Sequence, residues 1–245
     1  MIPIVRPKSG RNGWVMLQMP GVNTATFGVL IMVSVQLVLA LVLRWKGAGA
    51  LNIAYLEGGL SWQGIVSGRV WQLFTHICLH GNWIHLAVNA LLFYYGAARL
   101  SHIFSNQRIC CLFFVCGLGS GLSHIVVQAF VPGIPPLVGA SGGVTGLLLG
   151  FFSISPDSKM IILNISARNL SRGVLVSSAL LFLMTPWLGI PLFADLGRWL
   201  ESAVGNFIFQ TAHLVHFVGG FLGWILIGRF LPRLLSSDDL ARMRT

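Results

Sequence analysis

Ser141 stands in the run Gly139-Ala140-Ser141-Gly142, where a stretch rich in Pro and Gly gives way to an apolar segment. Two more polar clusters interrupt apolar segments: His85 with Asn89 upstream, and His213 with His216 downstream. A serine hydroxyl is a weak nucleophile until a neighbouring base takes its proton, and histidine is the side chain suited to that task near neutral pH. Acyl transfer also needs donors for the oxyanion that develops on the attacked carbonyl. His85 and Asn89 are four residues apart and so share a helix face. The backbone N–H of Ser141, at the start of a helix, would add a donor where negative charge is favoured. Buried polar groups of this kind are costly in an apolar setting, which makes a functional reading the default.

The base is chosen by helical spacing. Gly219, Gly220 and Gly223 lie three, four and seven residues after His216 and share its face. Gly142, Gly146 and Gly150 form a second small-residue stripe, of the kind that lets helix backbones approach closely. Glycine stripes alone would mean helix packing only. With a serine at the head of one and a histidine at the head of the other, they are expected to bring Ser141 within reach of His216, with His213 as the alternative base. All six carboxylates (Glu57, Asp157, Asp195, Glu201, Asp238 and Asp239) fall outside the apolar segments. A Ser-His-Asp triad is therefore not expected, and a Ser-His dyad is. Only Glu57, Asp195 or Glu201 could reach the site as an orienting group. His76 and His80 read as structural, bracing a loop. A metal site on His76, His80 and His85 is the competing reading, but no carboxylate lies among them, and neither metal nor cofactor is expected. Cys78, Cys110, Cys111 and Cys116 have no metal-ligand spacing and read as small packing residues.

The elements that position these groups follow from composition. Of 245 residues, 55% are hydrophobic and 9% charged, against about 25% charged in an ordinary soluble domain. Lipid is the expected solvent. The net charge of +10 does not indicate nucleic acid, because the basic residues form no stripe and the aromatics lie in apolar runs. Six apolar segments near 25–43, 83–98, 109–130, 141–155, 173–190 and 212–231 approach the ~20 residues needed to cross a bilayer. The expected fold is all-α: a polytopic bundle of six transmembrane helices spanning 25–231, between a basic segment 1–24 and a tail 232–245. A transporter would require ionisable residues along a path and an inverted repeat, and neither is seen.

With the N-terminus in the cytoplasm, 12 of the 16 Lys and Arg fall on the cytoplasmic side and 4 outside. This bias places both termini in the cytoplasm, with a bacterial inner membrane as the expected location. Ser141, His216 and His85 then all lie toward the outer face. The loop 44–82, with Trp45, Tyr55, Trp62 and Trp71, is expected partly in the outer leaflet.

The motifs, taken in order, resemble the rhomboid family of intramembrane serine proteases, over about Trp71 to Gly228. The stretch WQLFTHICLHGNWIHLAVN (Trp71 to Asn89) is similar to that family's outer-loop and second-helix signature. Gly139 to Gly142 matches its GxSG motif, and His213 to Gly220 its HxxHxxGG pattern. The resemblance implies Ser141 as nucleophile, His216 as base, and His85 and Asn89 at the oxyanion positions. It implies single-span transmembrane proteins as substrates, membrane lipid as surroundings, and segment 173–190 with loop 191–211 as a lateral gate. Three positions depart from the pattern: Gln72 where many members have Arg, Arg99-Leu100-Ser101 where many have Glu, and Thr145 where an aromatic often stacks on the histidine. The alternative reading is a rhomboid-like protein that binds transmembrane segments without cutting them.

Overall fold

A computed structural model describes residues 24–131, 133–159, 164–205, 208–209 and 212–234. The expected end segments 1–24 and 232–245 lie almost wholly outside these. The described residues are all-helical, as expected: α1 (Thr24–Gly58), α2 (Trp62–Val66), α3 (Gln72–Thr75), α4 (Trp83–Leu100), α5 (Asn106–Phe130), α6 (Ser141–Ile154), α7 (Ala167–Leu183), α8 (Phe193–Val204) and α9 (His213–Leu234). Helices α1, α4, α5, α6, α7 and α9 occupy the six apolar segments. Two of them, α1 and α5, are long and apolar enough to cross a bilayer by themselves.

Three boundaries differ from expectation. The first helix does not end at 43. It bends at Gly47 (φ 78°, ψ 179°) and resumes to Gly58, so 44–58 is helix rather than loop. Only glycine adopts that φ cheaply, and it redirects the chain without ending the helix. The fifth helix starts at Ala167, six residues early, because Ser166 caps it by accepting from the Asn169 N–H at 3.3 Å. It ends at Leu183, just ahead of a 3-10 turn opened by Pro186. Finally, loop 191–211 contains a regular helix, α8, of 12 residues.

Helix α6 is the centre of the bundle, in contact with α4, α5, α7 and α9. It is apolar all round, as a helix without a solvent face must be. Its 14 residues make a rod of about 21 Å, shorter than the ~30 Å hydrocarbon core. The chain leading into it must then run as irregular backbone at membrane depth. Such backbone is tolerated only where the protein itself satisfies its polar groups. Here it does. Leu60 and Leu137 exchange N–H···O bonds of 2.9 and 2.8 Å, and Gly139 N–H donates to the His76 carbonyl at 2.8 Å. From α5, a His124 ring nitrogen meets the Pro135 carbonyl at 3.2 Å, and the Gln128 amide donates to Ile134 O at 2.7 Å.

Candidate active site

The two glycine stripes meet. A Cβ built on Gly219 would overlap the backbone carbonyl of Gly142, and one on Gly223 the carbonyl of Gly146. In the reverse direction, Cβ atoms on Gly146 and Gly150 would lie 2.9 and 3.1 Å from the Gly219 and Gly223 carbonyl oxygens. Because 142 pairs with 219, 146 with 223 and 150 with Ile227, α6 and α9 run side by side in the same direction. Their first turns, carrying Ser141 and His216, therefore stand at one level. Val215, next to His216, would be 2.9 Å from a Cβ on Gly142.

His85 reaches the same level from α4. Its backbone N–H is capped by Asn82 Oδ1 at 2.8 Å, which fixes the start of that helix. Its ring lies on Gly139, where a Cβ would come within 2.8 Å of Cε1 and 2.9 Å of Nε2. Gly139 itself has φ 124°, a conformation glycine takes without strain. Further along α4, Gly96 touches Leu147 and Leu148. Asn89 lies between those two contacts and so stands beside the first turn of α6. It is buried, and its amide donates to the His85 carbonyl at 3.0 Å, leaving a second N–H.

Ser141 is half-buried, and its carbonyl accepts from Thr145 Oγ1 at 2.6 Å. No hydrogen bond joins its hydroxyl to His216. Catalytic hydrogen bonds often tighten only when substrate is bound, so this spacing is compatible with a dyad. The ring of His216 is also half-buried, 6.4 Å from that of His213 between centroids. His213 is engaged elsewhere: its Nε2 lies 2.6 Å from the Ile208 carbonyl. Thr145, at the position where many relatives of this pattern carry an aromatic, fits beside Gly220, whose Cβ would sit 3.0 Å from the threonine methyl.

Loop 59–82 forms one wall. His76 is buried, with Nδ1 2.8 Å from the Gln72 carbonyl, and the His80 carbonyl accepts from the Tyr55 hydroxyl at 2.7 Å. The rings of His80 and His85 meet edge to face with centroids 5.1 Å apart. Burial pushes both His76 and His80 down to about 4, so each is neutral at physiological pH. Gln72 is fully buried. Its amide donates to Leu56 O at 2.9 Å, and its oxygen accepts from Ser61 N–H at 3.2 Å. A neutral side chain thus ties the middle of the loop to its start. Of the three carboxylates within range, Glu57 pairs with Arg69 at 2.8 Å and Asp195 pairs with Arg198. Among the described residues none of the three bonds to His213 or His216.

Sequence reasoning left out Ser120, His124 and Gln128. Ser120 packs under Gly142, and the other two hold the loop before Ser141 as described above. Their signal was present: three polar residues at four-residue spacing on one face of an apolar helix.

The Rhomboid domain family model matches residues 67–230. The chain belongs to the rhomboid family, and so to the integral membrane proteins. It is 31% identical to RHOMBOID-like protein 7 of Arabidopsis thaliana over 69% of this chain and 47% of that protein. It is 30% identical to RHOMBOID-like protein 4 over 70% and 38%, and 29% identical to RHOMBOID-like protein 6, mitochondrial, over 62% and 48%, both from the same plant. The chain spans about half the length, or less, of these relatives. Plant relatives, one mitochondrial by name, lend no support to the expected bacterial inner membrane.

Proposed function

We propose that this protein is an intramembrane serine endopeptidase. The observation that carries the reading is the register of α6 on α9, which sets Ser141 and His216 at one level with His85 across from them. Ser141 Oγ attacks the peptide carbonyl carbon as His216 accepts its proton. The C–O bond forms, and the carbonyl π electrons move to oxygen. His85, Asn89 and the Ser141 N–H donate to that oxyanion. Collapse breaks the C–N bond, and the leaving amine takes the proton from His216. Water then repeats the sequence on the acyl-enzyme and frees Ser141. Single-span membrane proteins are the proposed substrates.

A fluorophosphonate probe tests this directly. The purified protein in detergent should be labelled, and Ser141→Ala should lose both labelling and cleavage of a model transmembrane substrate while keeping its helical spectrum. Loss of such a nucleophile typically costs several orders of magnitude in rate. An unlabelled wild-type protein that still retains transmembrane segments would favour the non-proteolytic binding reading.

The charge bias supports cytoplasmic termini, with the site near the opposite face. With the native cysteines replaced, a cysteine at the exposed Ser67 should react with an impermeant reagent on sealed cells, and one at the exposed Ser105 should not. The reverse would invert the topology.

A further inference from the structure

Helix α8 joins α7 to α9 at the end of the bundle where Ser141 lies, and its surface divides into three arcs. One faces the protein: Ala194 and Gly197 are buried, and a Cβ on Gly197 would overlap the Met184 carbonyl at the end of α7. A second is polar and open, with the Asp195–Arg198 ion pair and exposed Ser202. The third is apolar and also open: Leu192, Leu196 and Trp199 are 67%, 43% and 66% exposed. At 100° per residue Leu196, Trp199 and Ala203 fall within about 60° of one another, and Leu192 stands just before the helix starts.

A water-soluble surface would not keep such a stripe uncovered. The stripe does not stand alone. Helix α8 packs on the turn after α7, and Val176 and Leu180 of α7 and Trp187 of that turn are exposed as well. On the six-span reading that side of α7 meets acyl chains. A helix with one arc on protein, one exposed apolar arc and one ion-paired arc has the distribution of a helix lying in the plane of the interface. Tryptophan is the residue suited to that depth.

We propose that α8 is an interfacial helix docked on phospholipid, with Leu192, Leu196 and Trp199 at the boundary between headgroups and acyl chains of the leaflet on the Ser141 side. Asp195, Arg198 and Ser202 face water. This rests on membrane insertion of the family, not on catalysis, and it can be tested in the Ser141→Ala variant.

The full-length protein, with its four cysteines replaced, would carry a single nitroxide at 195, 196, 199 or 202 and be reconstituted in phosphatidylcholine vesicles. Oxygen, which concentrates in acyl chains, should collide with labels at 196 and 199 more often than a water-soluble nickel chelate does. At 195 and 202 the preference should reverse. Four labels with the same preference would overturn the proposal, whichever reagent they favoured. Spin–spin broadening at 196 that disappears on dilution with unlabelled protein would also overturn it, assigning the stripe to a second copy of the chain. An independent reading needs no cysteine chemistry. The emission difference between wild type and Trp199→Phe should be quenched by lipids brominated near the glycerol end of the acyl chain, and an unquenched difference would place Trp199 away from lipid.

Discussion

Gly219 of α9 lies directly on Gly142 of α6, with no room for a methyl group between them. The position of Ser141 relative to His216 follows from this contact. It lets two helix backbones touch and fixes which residues of the two first turns stand together.

Gly219→Val should therefore separate the helices. Overpacking a tight core costs about 1–3 kcal/mol, and the obstacle here is backbone, which cannot change rotamer. The expected outcome is a lower unfolding temperature in detergent together with loss of phosphonate labelling. Gly173→Ala is the control, because nothing lies within 4 Å of that position. Removing a helix glycine there should be neutral or stabilising by about 0.5–1 kcal/mol. Equal effects at the two sites would mean the contact does not organise the bundle.

The two histidines of α9 should separate by experiment. His216→Ala should abolish labelling of Ser141. His213→Ala should keep measurable labelling and lose stability by about 1 kcal/mol, the usual worth of a hydrogen bond such as that to Ile208. The opposite pattern would make His213 the base.

On the proposed mechanism Asn89 gives its second N–H to the oxyanion while its first holds the His85 carbonyl. Asn89→Ala should lower kcat by roughly 10²–10³ with little change in KM, since an oxyanion donor acts in the transition state. A change confined to KM would assign Asn89 to substrate binding instead.

Acid should weaken the wall of the site. His76 and His80 fall from an ordinary value of 6.5 to about 4 in the folded chain. The unfolded chain then takes up protons first. Stability should be level above about pH 6.5, decline as pH falls from there to about 4, and flatten below. The summed loss is on the order of a few kcal/mol. Thermal unfolding across that range should show a shallower decline in His80→Gln than in wild type. Identical slopes would mean that the His80 ring is not buried as neutral imidazole.

The six apolar segments and the pairing of α6 with α9 could be read in the sequence because they depend on periodicity and on glycines at fixed spacing. The continuation of α1 to Gly58 was hidden by Arg44 and Lys46, which look like the end of a span although the helix runs through them. The start of α7 was hidden in the same way by Arg168, Asn169 and Arg172. Helix α8 was missed because its apolar residues are split by ion-paired ones, a pattern that shows only on a helical wheel. Gln72 looked like a departure from pattern, and its use became visible only when Leu56, Glu57 and Ser61 were brought around it by folding. The unmade Ser141–His216 hydrogen bond could not be anticipated, since side-chain spacing of that fineness is set by tertiary contacts.

Helix α6 is enclosed by α4, α5, α7 and α9, and the chain entering it is pinned to loop 59–82 and to α5. The end that bears Ser141 is thus clamped like a workpiece in a vice. On the proposed function, an incoming polypeptide would have to be uncoiled and brought to a stationary hydroxyl, and the yielding would fall to α7 and α8 at the margin of the bundle.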